Sequence, residues 1–259
     1  MPIAELIAES TLTSVTLPLL YSLKNFLRIC DCRFTQRQQK IHFQGQAFPF
    51  FTTRWWDNVT QEIFDREITP YFSALGDFQP QIIFDIGAAT GHFGIVAARL
   101  FPGAKVHAFE PAERQRILLA RNAKLNRVDR FEIEPLGLWS HSDTLAFRTV
   151  GAESSLALVS RFQGTLDFPE QVQVIPLDQW VNDHAIERID LIKMDAEGAE
   201  IEILEGAHTT LTRFRPRLLV QAYHIRGGVR TFERCAAILR GHGYSISESG
   251  NGSGLLCAI

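Results

Sequence analysis

Between Ile82 and Leu100 the chain reads IIFDIGAATGHFGIVAARL, and this stretch constrains the fold more than any other. A β-branched run ends in Asp85, Gly87 and Gly91 follow, and Phe93, Val96, Ala97 and Leu100 then recur at i, i+3, i+4 and i+7. That order reads as a strand, a tight glycine turn and a helix with one apolar face. Pro102-Gly103 stops the helix and AKVHAFE opens a second strand. A strand, a crossover helix and a strand place the two strands side by side in parallel, with a right-handed connection.

The alternation continues to the end of the chain. A helix is predicted over Ala112 to Asn126, a strand near Phe131 to Leu136, and a buried strand at IDLIKMD. A helix with Ile201, Leu204 and Leu211 inward follows, then a strand at RLLVQAY and a helix marked by Phe232, Ala236 and Leu239. YSISE and LLCAI close the chain, and the short SGNGSG between them permits only an antiparallel hairpin. The expected fold is α/β: a doubly wound, mostly parallel, seven-stranded Rossmann-like sheet with a C-terminal antiparallel hairpin. Such a sheet, finished by such a hairpin, is the usual arrangement of class I methyltransferases.

The regular pattern begins only after Pro80. Residues 1–80 are expected to form a mainly helical and irregular extension, and residues 81–259 the cofactor-binding domain. Within the extension, KIHFQGQAFPFFTT reads as a hairpin or extended loop around Gly45 and Pro49. Asp57 is placed to cap a helix through Ile63, Phe64 and Glu67, which Pro70 ends or kinks. Trp55-Trp56 are read as core anchors. The apolar content of the extension suggests a cover for an acceptor pocket or a homodimer contact.

Charge and cysteine usage narrow the setting. A formal net charge of −3 provides no general field for nucleic acid or an anionic membrane. Cys30, Cys32, Cys235 and Cys257 form no metal-type CxxC pair, as expected of a reduced cytoplasmic protein. The apolar runs of the first residues are broken by Glu, Ser, Thr and Pro18, so neither a signal peptide nor a spanning helix is expected.

In doubly wound sheets the ligand lies beyond the carboxyl ends of the strands, where strand order reverses. Here the first such turn is Asp85-Ile86-Gly87-Ala88-Ala89-Thr90-Gly91-His92-Phe93. Its glycines permit close approach of the backbone, and the amides opening the helix suit a carboxylate such as that of S-adenosylmethionine. Asp85 suits a cationic group such as the amine of the methionine moiety. A dinucleotide fingerprint would read GxGxxG, but Ala88-Ala89 stand where that pattern wants its second glycine. Glu110, followed by Pro111, ends the second strand where an acid accepts hydrogen bonds from ribose hydroxyls, for either cofactor. Gly137 falls where adenine would meet the backbone.

The segment IDLIKMDAEGAEIEILEGA is the most specific in the chain. A lysine in a central parallel strand is costly, and alternation puts Lys193 on the same face as Leu191 and Asp195. Lys193 and Asp195 are therefore expected to meet at the strand end, with Glu197 and Gly198 opening the next helix. The run Lys193, Asp195, Glu197, Gly198, Glu200, Gly206 and Ala207 closely resembles the signature of FkbM-type methyltransferases. The resemblance extends back through Phe109 to Pro111, Asn122 and FDIGAATG, and covers roughly residues 82–224. It implies O-methylation of a hydroxyl on a secondary metabolite or sugar. Two positions depart from the family pattern: Ala89 replaces an asparagine of the turn, and Gln221 replaces a glutamate near the end of the following strand.

The candidate catalytic residues are Asp195, Lys193, Glu197 and His224, with Asp195, Glu197 and His224 as alternative bases for the hydroxyl proton. Lys193 either orients Asp195 or stabilises a developing alkoxide. A divalent metal on Asp195 and Glu197 is left open for want of a third ligand. His92 is expected to be solvated. Two other readings remain at this point: a non-catalytic cofactor-binding module or partner subunit, and an NAD-dependent oxidoreductase.

Overall fold

The computed structural model describes residues 37–52, 61–150, 153–155, 170–249 and 254–259. The Asp57 cap, Trp55-Trp56, Cys30, Cys32 and most of the SGNGSG turn lie outside these residues.

The first described element is an antiparallel hairpin of β1 (Arg37–Phe43) and β2 (Gln46–Thr52), turning at Gln44-Gly45. Two short helices follow, α1 (Gln61–Glu67) and α2 (Thr69–Leu75), the second with Pro70 in its first turn. Pro70 thus starts a new helix where the first one ends, because its missing N–H is one that a first turn leaves unpaired.

The main body then alternates: β3 (Ile82–Ile86), α3 (His92–Leu100), β4 (Lys105–Phe109), α4 (Glu113–Asn126) and β5 (Phe131–Glu134). Sequence patterning assigns no element to residues 137–188. They contribute β6 (Gly137–Leu138), β7 (Asp143–Val150), β8 (Glu153–Ser155) and β9 (Glu170–Ile175), a separate four-stranded sheet, and α5 (Leu177–Asp183).

Next come β10 (Leu191–Met194), α6 (Glu200–Glu205), α7 (His208–Phe214) and β11 (Arg217–Gln221). The single helix expected through Ile201 and Leu211 is therefore two. The Gly206 carbonyl accepts from the Asp178 amide, and Asp178 in turn takes the Thr209 and Thr210 amides, so the hydrogen-bond ladder is interrupted there. A small hairpin, β12 (Ile225–Arg226) and β13 (Val229–Arg230), leads to α8 (Thr231–Gly241), β14 (Ile246–Ser249) and β15 (Leu255–Ala258).

Seven strands form the main sheet in the order β14-β15-β11-β10-β3-β4-β5. The four inner pairings from β11 to β5 are parallel, and β15 joins antiparallel to both β11 and β14. The chain winds outward from β3 to β5 and then from β10 to β11 on the other side. Strand order therefore reverses between β3 and β10, and their carboxyl ends frame the ligand crevice.

Alternation along these strands feeds two cores. Phe84, Ile86, Ile192 and Met194 face one side with Trp180, Leu204 and Leu239. Ile83 and Leu191 face the other, where Ile41, Phe48, Phe50, Phe64, Tyr71 and Phe72 pack with Phe93 and Val96. The described part of the first eighty residues thus completes one layer of the fold itself: Phe48, Phe50 and Phe64 are fully buried.

Candidate active site

Parallel register decides the partner of the buried lysine. Lys193 on β10 stands directly beside Asp85 on β3. Its Nζ lies 3.1 Å from Asp85 Oδ1 and donates to the Gly87 carbonyl at 3.1 Å. The expected pairing of Lys193 with Asp195 is corrected. Cross-strand neighbours lie about 4.8 Å apart, whereas residues two apart on one strand are separated by about 6.6 Å. Burial opposes the ammonium, but the charges of Asp85 and Asp195 outweigh it and hold its pKa above the ordinary value. Asp85 Oδ2 also accepts the Gly94 amide of α3 at 3.0 Å, and the residue has no exposed surface. Asp85 and Lys193 together pin the glycine turn to the sheet, so Asp85 is not open to a ligand's amine in this conformation.

The turn itself is shaped by close approach. Gly87 has φ +72°, and a Cβ there would lie 1.9 Å from the Asp195 carbonyl oxygen. Its glycine is therefore required by contact with the end of β10, whatever the cleft holds. Ala89 also sits at positive φ, +48°, and is exposed. The departure from asparagine at this position places a Cβ-bearing residue in a region that asparagine tolerates better.

A cleft of about 660 Å³, counting its open mouth, runs along the carboxyl ends of β3, β4 and β10. Of the expected cofactor contacts, Gly87, Ala89, Glu110, Pro111, Gly137 and Asp195 line it. Asp85, Ala88, Thr90, Gly91 and Phe93 do not line it. Phe93 turns inward and stacks on Phe72 at 5.1 Å, while Gly91 packs against Leu119 and Ile95. Leu136 and Leu138, which flank Gly137, line the cleft as well, and so does Gln115, which no motif signalled. Asn122, fully buried, donates to the Thr90 carbonyl and accepts the Phe51 amide, tying the turn to β2.

Glu110 is buried, and its carboxylate accepts the Ala89 and Ala112 amides, each at 2.9 Å. Burial pushes its pKa up to about 7, against the pull of those two amides. His92 is half-buried rather than solvated: it meets Phe50 edge-on at 4.8 Å and Thr90 Oγ1 at 3.3 Å. Burial, reinforced by the Lys193 charge, lowers its pKa to about 4.

At the other end of the cleft, Asp195, Glu197 and His224 come together. Their potential ligand atoms all lie within 4.8 Å of one another. His224 follows β11 by three residues, past Gln221. Its Nε2 is 3.1 Å from Glu197 Oε2, and its Nδ1 is 3.3 Å from Glu200 Oε1. Burial disfavours the charged ring, yet hydrogen bonds to Glu197 and Glu200 overcome this and push its pKa up to about 10. A ring protonated on both nitrogens has no lone pair with which to act as a base.

Burial pushes Asp195 up to about 6, Lys193 opposing and the Glu197 and Glu200 charges adding to it. Asp195 Oδ2 is reached by the Tyr71 hydroxyl at 3.4 Å, a contact from α2 that the sequence did not signal. Glu197 has φ +52°, strained backbone just beyond the carboxyl end of β10. Glu197 and His224 also border a second, larger cavity of about 1690 Å³, counting open space, between α6 and the β12–β13 hairpin.

Comparison with known proteins points one way. Residues 85–246, well over half the chain, match the family model described as the methyltransferase FkbM domain. The chain is 30% identical over 195 residues to methyltransferase sdnD of Sordaria araneosa, covering 64% of this chain and 74% of that one. It is 24% identical over 192 residues to 31-O-demethyl-FK506 methyltransferase FkbM of Streptomyces tacrolimicus, covering 64% and 73%. Cofactor-bound Rv0187 from MTB shares the fold at a TM-score of 0.50 and 15% identity, over 78% of this chain and 81% of that one. Among the described residues, no helix is long and apolar enough to cross a membrane.

Proposed function

We propose that this chain, which belongs to the FkbM methyltransferase family, transfers the methyl group of S-adenosylmethionine to a hydroxyl of a small molecule or sugar. The observation that carries this reading is one continuous edge. The cleft runs from Glu110 to Asp195 and Glu197, and the second cavity begins at Glu197. In this reading Glu110 meets the ribose hydroxyls, Gly137 and Leu138 flank adenine, and the methionine part lies by Gly87 and Asp195. The methyl group then points towards Glu197 and the second cavity, which takes the acceptor.

Transfer is an in-line displacement: the S–CH3 bond breaks as the O–CH3 bond forms, and S-adenosylhomocysteine leaves. The hydroxyl proton passes to the carboxylate group formed by Asp195 and Glu197, which stand where that proton is released. Lys193 acts through Asp85 and the turn, as a positioning residue. The O-methyl assignment draws support from the relative named for a 31-O-demethyl substrate.

Calorimetry with S-adenosylmethionine, S-adenosylhomocysteine and NAD tests the cofactor. Micromolar or tighter binding of the two sulfur ligands, with a raised melting temperature, is expected. Tight NAD binding without any response to the sulfur ligands would overturn the reading.

A further inference from the structure

The group at the ends of β10 and β11 has the donor set and support of a metal site. Asp195, Glu197 and His224 each present one ligand atom within a 4.8 Å span. The 3.1 Å between His224 Nε2 and Glu197 Oε2 matches two adjacent ligands on one ion, which at metal–ligand distances of roughly 2.1 Å lie about 3 Å apart.

Two further observations point to a cation. Glu200, fully buried and held by the Ala196 and Gly198 amides, faces the other ring nitrogen of His224. The contact is an ion-pair distance of 3.3 Å, and it puts a carboxylate behind the histidine where metal-ligating histidines have their supporting acceptor. Asp195 Oδ1, meanwhile, is buried and has no hydrogen-bond partner among the described residues. A carboxylate oxygen in that state is costly unless a cation meets it.

We propose that Asp195, Glu197 and His224 bind one divalent first-row transition-metal ion, of the manganese or zinc kind. The imidazole nitrogen selects against calcium and magnesium, which prefer all-oxygen shells. An ion taking the Nε2 lone pair displaces the proton now shared with Glu197. Binding itself does not depend on the methyl-transfer reading. Its use does: the ion would lie where the cleft and the second cavity meet, and would make a coordinated acceptor hydroxyl more acidic. The other cluster of potential ligands, His107, Glu132 and Glu134, is the poorer site. Glu132 is engaged by Lys105 at 2.8 Å, and the neighbouring cavity is lined by Lys105, Arg130 and Arg188, which repel a cation.

The test is a Mn2+ titration of the metal-stripped full chain, followed by the electron paramagnetic resonance of free Mn2+. One saturable equivalent is expected, displaced by Zn2+ but not by tenfold Ca2+. His224→Ala and Asp195→Asn should weaken it at least tenfold, and Glu200→Gln by about 10–100-fold. His107→Ala should leave it unchanged. Circular dichroism checks folding, and Glu197→Gln, at a more exposed position, serves if a buried variant fails to fold.

The proposal is overturned by the absence of saturable binding, by binding that survives in the folded ligand variants, by loss in His107→Ala, or by ready displacement with Ca2+. S-adenosylhomocysteine calorimetry on the same samples separates the two readings. Mn2+ binding without the sulfur ligand strikes only the methyl-transfer reading, and the reverse strikes only the metal site.

Discussion

Lys193 and Asp85 meet across β10 and β3 with Nζ 3.1 Å from Oδ1, and the same ammonium holds the Gly87 carbonyl. The cation of the family signature is thereby spent on the glycine turn one strand away. Neither charge has solvent to fall back on, since the side chains are 5% and 0% exposed. Removing one partner leaves the other buried and unpaired, which costs about 3–5 kcal/mol. Lys193→Met and Asp85→Asn should each lose about that much in chemical denaturation. The double variant should lose clearly less than the sum, because no orphan charge remains. Additive losses would show that the two do not interact.

Ala89 carries a Cβ at φ +48° on the exposed rim of the cleft. Left-handed backbone costs an L-residue roughly 1–2 kcal/mol, and asparagine visits it more readily. Ala89→Asn should therefore raise stability by about 0.5–1 kcal/mol. The Ala89 amide that reaches Glu110 is unaffected by the change. A melting temperature that falls in this variant would show the turn is not strained as described.

With Glu110 on the ribose, as proposed, cofactor affinity should depend on pH. Its folded pKa is raised from 4.5 to about 7, so the folded state holds the proton more tightly than the unfolded chain. The stability this contributes is fully present below about 4.5 and is lost as pH rises through about 7. Ribose hydroxyls prefer the ionised acceptor, so S-adenosylhomocysteine affinity should rise across the same window. Isothermal titration at several pH values should show that slope in the wild type and a flat profile in Glu110→Gln. An equal slope in both would assign the dependence to another group.

Tyr71 joins the early part of the chain to the carboxyl end of β10. Its ring packs against Phe93 at 5.5 Å, and its hydroxyl reaches Asp195. Tyr71→Phe keeps the ring and should cost under about 1.5 kcal/mol of stability, while slowing methyl transfer. Tyr71→Ala should cost about 3–5 kcal/mol. A chain beginning at Gln79 would lack Phe48, Phe50, Phe64 and Tyr71 from its core, and should be insoluble. Soluble, cofactor-binding protein from that truncation would show the layer to be dispensable.

The glycine turn, the alternation after Pro80 and the closing hairpin were legible because each is a local pattern. Period-2 and period-3.6 apolar spacing reports which face is buried, and glycine marks the turn. The region from Trp139 to Arg188 was not legible, since its short strands pair with one another over long separations and carry no helix period. Tyr71 could not have been singled out either. Nothing in TPYF marks one aromatic as reaching a carboxylate 124 positions away.

The residues expected to contact the cofactor divide along the same line. Glu110 and Gly137 end or begin strands, so strand ends located them. Thr90, Gly91 and Phe93 belong to the same turn, yet they face the core because the opening helix rotates them away from the cleft.

The sequence by itself determined the doubly wound sheet, the crevice at its reversal and the family to which the chain belongs, because these follow from the order and period of local segments. Only the tertiary structure decided that Lys193 answers Asp85 instead of Asp195, and that His224 stands between Glu197 and Glu200. Those pairings depend on strand register and on how far a loop returns over the sheet edge, and neither is written in the spacing of residues along one strand.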